Sequence, residues 1–196
     1  MLRYVLPFSL LLGAPFVSKA QQNIYMLEYS MGFPVGDLND YINEPSFRGF
    51  NFGYRYMLDE NRAIGLDMGW QTFYELKDLA TYTEGTSSIT GIQYRYTNAF
   101  TASVQIDQVF SEGKDLRPFI GIGAGTSYMR RTLDMGLYRL ERDPWQFMLQ
   151  PEAGVSLYMR NGNAVILSAN YYLGFKTKEL EAQSFLGIGI AYAFSD

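Results

Sequence analysis

The chain has 196 residues, of which 47% are hydrophobic and 16% aromatic, with a formal net charge of −4. That length suits one modest domain, and the charge and the absence of a basic stripe give no sign of nucleic-acid binding. There is no Cys and no His, which excludes disulfides, Cys-based metal sites, thiolate nucleophiles and any Ser–His or His–Asp catalytic pair.

Residues 1–20 read as a signal peptide. Arg3 supplies the positive start, residues 4–17 are apolar and interrupted by Pro7 and Pro15, and Ser18-Lys19-Ala20 places small residues where a signal peptidase reads. Cleavage is expected before Gln21, leaving 21–196 as one domain. No Cys stands at the junction, so a lipoprotein is not expected. After Gln21 no run reaches the ~20 apolar residues a spanning helix needs. A mature chain in a membrane must therefore cross it as strands.

The rest of the sequence alternates apolar residues with small or polar ones, the period of a strand with two unlike faces. The first strand spans 24–35, with Tyr25, Leu27, Tyr29, Met31 and Phe33 on the oily face. The second, 47–58, sets Phe50, Phe52, Tyr54 and Tyr56 against Gly49, Asn51, Gly53 and Arg55. The third, 63–74, sets Ile64, Leu66, Met68 and Trp70 against Gly65, Asp67, Gly69 and Gln71. The fourth, 92–110, keeps one phase from Ile92 through Tyr94, Tyr96, Phe100, Ala102, Val104 and Ile106 to Phe110. Only Asn98 and Gln108 interrupt its oily face, so a single long strand is preferred over a hairpin at 97–98.

The fifth strand, 117–128, turns Ile120, Ile122, Ala124 and Tyr128 outward. The sixth is 145–159, with Trp145, Phe147, Leu149, Ala153, Val155 and Leu157 outward. The seventh is 164–175. The eighth, 184–194, opposes Leu186, Ile188, Ile190, Tyr192 and Phe194 to Phe185, Gly187, Gly189, Ala191 and Ala193.

The links sort by length. Segments 59–62, 111–116 and 160–163 are short turns, and 36–46, 75–91, 129–144 and 176–183 are longer. With eight strands all short turns and both termini fall at one end. The expected fold is all-β, an eight-stranded antiparallel up-and-down transmembrane β-barrel. Its aromatics form two belts: Tyr25, Tyr56, Phe110, Tyr192 and Phe194 at the turn end, and Phe33, Trp70, Tyr74, Tyr128, Trp145 and Phe175 at the other. A soluble lipocalin-like barrel with the oily face inward is the competing fold, and it would misplace Glu28, Arg55, Asp67 and Glu152.

The stretch Arg117-Pro118-Phe119-Ile120-Gly121-Ile122-Gly123-Ala124-Gly125 and the closing run from Phe185 to Phe194 resemble the small outer-membrane β-barrel family, the OmpA/OmpX-like eight-stranded, porin-like barrels of Gram-negative cells. The resemblance covers the mature chain as a pattern. It implies a multi-pass place in the cell outer membrane with N- and C-termini in the periplasm, contact with outer-membrane lipid and lipopolysaccharide, and no cofactor. Ser195 and Asp196 follow Phe194, so the terminal aromatic read during barrel assembly is displaced. The sequence stops at the last strand, and peptidoglycan anchoring is not implied.

Gly121, Gly123 and Gly125 are read as room for large neighbours in a narrow lumen, since no helix follows to make a phosphate cradle. Glu28, Arg55, Asp67, Arg95, Asp107 and Glu152 point inward and are expected to form a lumen polar network, because an unpaired buried charge is costly. A sharper variant makes Arg55 a gate that exchanges carboxylate partners. Arg48, Arg130 and Arg131 are candidate lipopolysaccharide contacts. Leu133, Met135, Leu137, Tyr138 and Leu140 make the third loop apolar, a candidate partner-contact surface. No catalytic or metal residue is expected. The function expected is a non-enzymatic barrel with a side-chain-filled lumen, serving membrane integrity, surface binding or adhesion, or a larger outer-membrane complex. A narrow porin-like channel and a soluble ligand-binding barrel are the alternatives.

Overall fold

A strand with one apolar face needs both a partner for each backbone edge and a medium for that face, and closing the sheet on itself solves the first need. The computed structural model describes residues 22–84, 86–110, 115–178 and 180–195. The signal segment 1–20 and positions 111–114 of the expected short turn lie outside the described residues. The elements are β1 (Asn23–Val35), α1 (Asp37–Tyr41), β2 (Ser46–Met57), β3 (Arg62–Glu84), β4 (Ser87–Val109), β5 (Leu116–Met135), β6 (Tyr138–Arg142), β7 (Trp145–Tyr158), β8 (Ala164–Gly174) and β9 (Ser184–Ser195).

All pairings are antiparallel. β1 bonds to both β2 and β9, and the circle closes through β3, β4, β5, β7 and β8. β6 pairs with β5 alone and stands outside the circle, so the barrel has eight strands. Following the register from Tyr25 through Tyr54, Leu66, Val104, Ala124, Leu149, Leu173 and Ser184 returns to β1 at Val35, ten residues further on. That stagger tilts the strands by roughly 40° and leaves a lumen only wide enough for side chains.

The expected strands and their phase match these elements, and the fourth is one uninterrupted strand. At Asn98, where a turn was conceivable, the side-chain oxygen accepts a hydrogen bond from Thr72 Oγ1 at 2.8 Å on the outer face. This pairing satisfies the polar interruption without breaking the ladder. Two of the long links differ from expectation. The 75–91 segment is not a loop: β3 and β4 run on together past the rim, in register from Lys77↔Gln93 to Glu84↔Ser87, with a bulge between Lys77 and Ala80. The 129–144 segment is likewise a continuation of β5 that folds back as β6 through Gly136, whose φ of +57° suits glycine. Cross-strand Thr81–Thr90 and Thr83–Ser88 hydroxyl contacts replace the turn residues that would have marked an earlier stop.

At the turn end, Asp59 folds its link tightly. Its carboxylate accepts from the backbone N–H of Asn61 at 2.9 Å and of Arg62 at 2.8 Å, and from Arg62 Nε at 2.7 Å. The Arg62 side-chain bond, joined by those backbone bonds, holds the Asp59 carboxyl below its ordinary value. A lowered folded value contributes stability above the unfolded value and loses it as pH falls through the folded one. This turn is therefore expected to loosen only under strong acid, read by amide exchange at Asn61.

The outer face is apolar almost throughout. Leu66, Met68, Val104, Ile106, Ile120, Ile122, Leu167 and Ile190 are all more than half exposed. An aromatic row crosses six strands in register: Tyr29, Phe50, Trp70, Phe100, Tyr128 and Trp145. Trp70 and Phe100 stack at 6.0 Å, and Tyr128 and Trp145 lie 5.2 Å apart.

Candidate functional site: the lumen and the loop-end rim

The inward face is layered along the barrel. At the loop end, Leu38 and Ile42 of the α1 segment drop into the mouth and pack on Phe73, Ala99, Met129, Met148, Tyr172, Leu180 and Phe185. Phe185 stacks on Tyr172 at 4.3 Å and meets Phe73 edge-on at 5.3 Å. At the turn end a second apolar layer comprises Ile24, Phe119, Ala164, Ile166, Ala191 and Ala193. The charged groups lie between the two.

Arg55 is the centre of that middle layer and is only 5% exposed. Its guanidinium clasps Asp67 through both terminal nitrogens, at 2.8 and 2.9 Å. Its Nε donates to Asp107, and Nη2 reaches Glu152 at 3.2 Å. One planar fork thus serves three carboxylates from three other strands, the arrangement for which arginine is suited and lysine is not. Glu28 stands beside this cluster with neutral partners, Asn51 Nδ2 at 2.6 Å and Ser168 Oγ at 2.7 Å.

The glycines make this layer fit. A Cβ on Gly121 would lie 2.1 Å from Asp107 Oδ1, and one on Gly189 would lie 2.3 Å from the Glu28 carboxyl. Gly121 is also in register between Asp107 and Glu152. Gly121→Val is expected to force these two carboxylates off Arg55 and destabilise the barrel by about 1–3 kcal/mol, the usual range for overpacking. Denaturant unfolding in detergent would read it.

Arg95 is not part of this cluster. It sits in the loop-end mouth, donating to the Tyr41 carbonyl at 2.8 Å and to Gln93 Oε1 at 2.7 and 3.1 Å. Arg131 lies there too. Both guanidinium groups contact the Tyr41 ring, that of Arg131 3.7 Å from its centroid and that of Arg95 at 4.9 Å. This pins the α1 segment over the lumen. Tyr41→Ala is expected to release it, at a cost of about 1–2 kcal/mol, seen as faster amide exchange across residues 38–42 with the barrel strands unchanged.

Arg131 is thereby turned toward the lumen mouth, which separates it from the other two candidate lipopolysaccharide contacts. Arg48 and Arg130 are exposed on the outer face. Arg130 shares a register row with Thr72 and Asn98, one alternation beyond the aromatic row. Its nearest ion-pair partner is Glu141 at 3.3 Å.

The apolar third loop is divided by the β5–β6 hairpin rather than exposed throughout. Leu133 and Met135 are buried, on the face that looks to the barrel axis. Leu137 at the tip is fully exposed, followed by Tyr138 and Leu140. Sequence reasoning placed a loop over 129–144, since past Tyr128 the outward positions Arg130, Thr132 and Asp134 are no longer apolar. It also missed the loop-end plug. The signal was present in Phe73, Tyr172 and Phe185, bulky residues on the inward phase of their strands at the same end.

No protein-family model and no curated protein matches the chain. Solved structures do. Ail of Yersinia pestis, the attachment invasion locus protein, solved in complex with the heparin analogue sucrose octasulfate, superposes with a TM-score of 0.55 at 13% identity, covering 89% of this chain and 99% of that one. The fold is that of the small outer-membrane β-barrels. Neisserial surface protein A shares it, with a TM-score of 0.56 at 11% identity over 88% of this chain and 95% of its own. So does OprG of Pseudomonas aeruginosa, with a TM-score of 0.52 at 12% identity over 90% and 97%. At these identities the likeness to these outer-membrane barrels is one of fold.

Proposed function

We propose that the protein is a non-enzymatic outer-membrane barrel with a closed lumen, which binds other macromolecules through the sheet it raises beyond its rim. The observation that carries this reading is the four-stranded wall made by the upper parts of β3, β4, β5 and β6. The β5–β6 end of this wall presents a strand edge, since among the described residues no further strand pairs with β6. All five residues of β6 are exposed. A free edge offers unpaired backbone donors and acceptors to an extended polypeptide, and apolar side chains beside it add selectivity. Leu137, Tyr138 and Leu140 supply those.

Outer-membrane residence follows from the fold and from the apolar outer face. A continuous band of exposed Leu, Ile, Val and aromatic side chains far exceeds what a water-facing monomer carries. In this reading the turn end faces the periplasm, and the aromatic row meets the headgroup region. In the same reading Arg48 and Arg130, exposed just beyond that row, meet lipopolysaccharide phosphates. The lack of any His supports a non-enzymatic role, since the general bases that hydrolases most often use are missing.

Ail carries a sulfated ligand in its structure, so a polyanion is the natural rival partner. The hairpin here does not favour one. Arg130 pairs with Glu141 at 3.3 Å, and Arg139 pairs with both Glu141 at 2.8 Å and Asp134 at 3.5 Å. Cells displaying the protein are expected to adhere to protein-coated surfaces and not to heparin-coated ones. Leu137→Ser with Leu140→Ser is expected to reduce that adhesion severalfold, with display level unchanged. Adhesion to heparin alone, or adhesion untouched by the double substitution, would contradict the reading.

A narrow channel is the second reading, and one observation favours it. A small chamber of about 20 Å3, lined by Glu28, Asn51, Asp67, Thr101 and Tyr172, lies on one side of the Arg55 cluster. A larger one lies on the other, and Arg55 and Glu152 line both. Arg55 with its carboxylates is thus the partition between the two chambers. Beyond the smaller chamber, however, the Leu38–Ile42–Phe73–Phe185 plug still closes the loop end.

A further inference from the structure

The outer edge of β6 carries a sequence that complements itself. Met135 and Tyr138 flank the two-residue loop Gly136-Leu137 and are in register. Residues so placed exchange both backbone hydrogen bonds, and the bonding side then alternates along the strand. Tyr138, Leu140 and Arg142 therefore turn their backbone groups toward β5. Arg139 and Glu141 turn theirs toward the edge on which, among the described residues, no further strand pairs.

A partner strand must suit those two positions. Laid antiparallel on itself about Leu140, the run Tyr138-Arg139-Leu140-Glu141-Arg142 sets Arg139 opposite Glu141 of the partner copy, and Glu141 opposite its Arg139. Both are hydrogen-bonding pairs, so charge and backbone match at the same positions. Leu140 meets Leu140 in the intervening pair, where side chains come closest. The neighbouring strand extends the match, since Asp134 lies beside Arg139 in register and Leu133 beside Leu140. One face of the joined sheet then alternates in sign from Asp134 through Arg139 to Glu141 across the seam. The other is a row of four leucines.

Competing arrangements lose this match. A slip of two residues sets Arg139 on Arg139 or Glu141 on Glu141, and like charges directly opposite destabilise a pair. A slip of one residue turns the leucine face against the charged one. Parallel pairing at the same level brings like charges side by side. The charges are also at hand to exchange partners. Arg139 and Glu141 pair with each other at 2.8 Å within one strand, their side chains 61% and 38% exposed, and such exposed pairs contribute little.

We infer that the partner of the β6 edge is a second copy of this chain, joined antiparallel with Arg139 on Glu141 about a two-fold axis between the two Leu140 residues. This rests on the reading of that edge as the binding surface, and it names the occupant. The contact is isologous, the same five residues serving on both sides. The axis stands normal to the sheet wall, and a half-turn about it inverts the barrel. The two barrels therefore meet loop end to loop end, in facing membranes rather than side by side in one.

Sedimentation equilibrium in density-matched detergent reads the pairing. The wild type is expected to dimerise with rising concentration. Arg139→Glu and Glu141→Arg are each expected to weaken the dimer about tenfold or more, since like charges then meet across the seam. The double variant carrying both changes is expected to dimerise again. So is an equimolar mixture of the two single variants, which complement each other. The altered positions are exposed and lie outside the barrel circle, and recovery in the mixture separates lost pairing from lost folding. A wild type still monomeric at about 1 mM, single variants that dimerise undiminished, or a mixture that stays monomeric would overturn the pairing. Phosphatidylcholine vesicles carrying Arg139→Glu are expected to cluster with vesicles carrying Glu141→Arg, and neither kind with itself. Dimers in detergent without such clustering would overturn the facing arrangement. A monomeric wild type whose displaying cells still adhere to protein-coated surfaces would remove self-pairing alone, and loss of both would remove the binding edge as well.

Discussion

Arg55→Ala is expected to destabilise the barrel by about 3–5 kcal/mol, the largest loss of any single lumen substitution. The reason is the arrangement rather than the number of bonds. Arg55 meets Asp67, Asp107 and Glu152 at once, and its removal leaves three largely buried carboxylates facing one another. Breaking a buried pair from one side costs in that range because the remaining charge loses its compensation. Urea unfolding in detergent micelles, compared with wild type, measures it. Asp67→Asn is expected to cost less, because Arg55 keeps two carboxylates. Arg55→Ala combined with Asp107→Asn and Glu152→Gln is expected to recover much of the loss, since the triple change removes charge along with its partner. If Arg55→Ala costs under about 1 kcal/mol, the middle layer is not the charged core described above.

Val104→Arg is expected to cost about 2–4 kcal/mol in a bilayer, the range for a cation on the lipid face near mid-depth. Val104 lies in the register row that joins Leu66 and Ala124, on the outer face, half exposed. Its neighbour Gln105 points inward and is fully buried. In lipid vesicles the penalty should appear as incomplete insertion and a lower unfolding midpoint. Arginine at Arg48's level, beyond the aromatic row, should be tolerated. A soluble barrel would show the opposite sensitivity. There, an arginine replacing an exposed valine changes stability by a few tenths of a kcal/mol, and the protein stays in solution without detergent.

Strand identity and facing were legible in the sequence because a period of two admits only one phase where one face is apolar. The run from Ile92 to Phe110 shows this well. Asn98 interrupts the apolar face, yet its in-register partner Thr72 satisfies it, and the strand continues. The pairing of inward glycines with large polar neighbours was legible in outline, from Gly121, Gly123 and Gly125. The particular partners were not, since Asp107 meets Gly121 only through the register of two strands.

Strand ends beyond the rim were not legible. Past Tyr74 the outer face is no longer required to be oily, so alternation fades while hydrogen bonding continues to Glu84. The same loss hid the β5–β6 hairpin and made Leu133 and Met135 read as exposed. Arg95 and Arg131 were both placed by phase or by loop, and what decides their role is Tyr41. That residue belongs to a segment too short to announce itself as a helix, and it reaches them only in three dimensions.

The closed lumen is the claim on which the surface-binding account rests, and single-barrel conductance in a planar bilayer at neutral pH tests it most directly. The Arg55 cluster and the Leu38–Ile42–Phe73–Phe185 plug together predict no reproducible open state for the wild-type protein. Discrete, reproducible conductance steps would contradict the account and make Arg55 the first residue to examine as a gate.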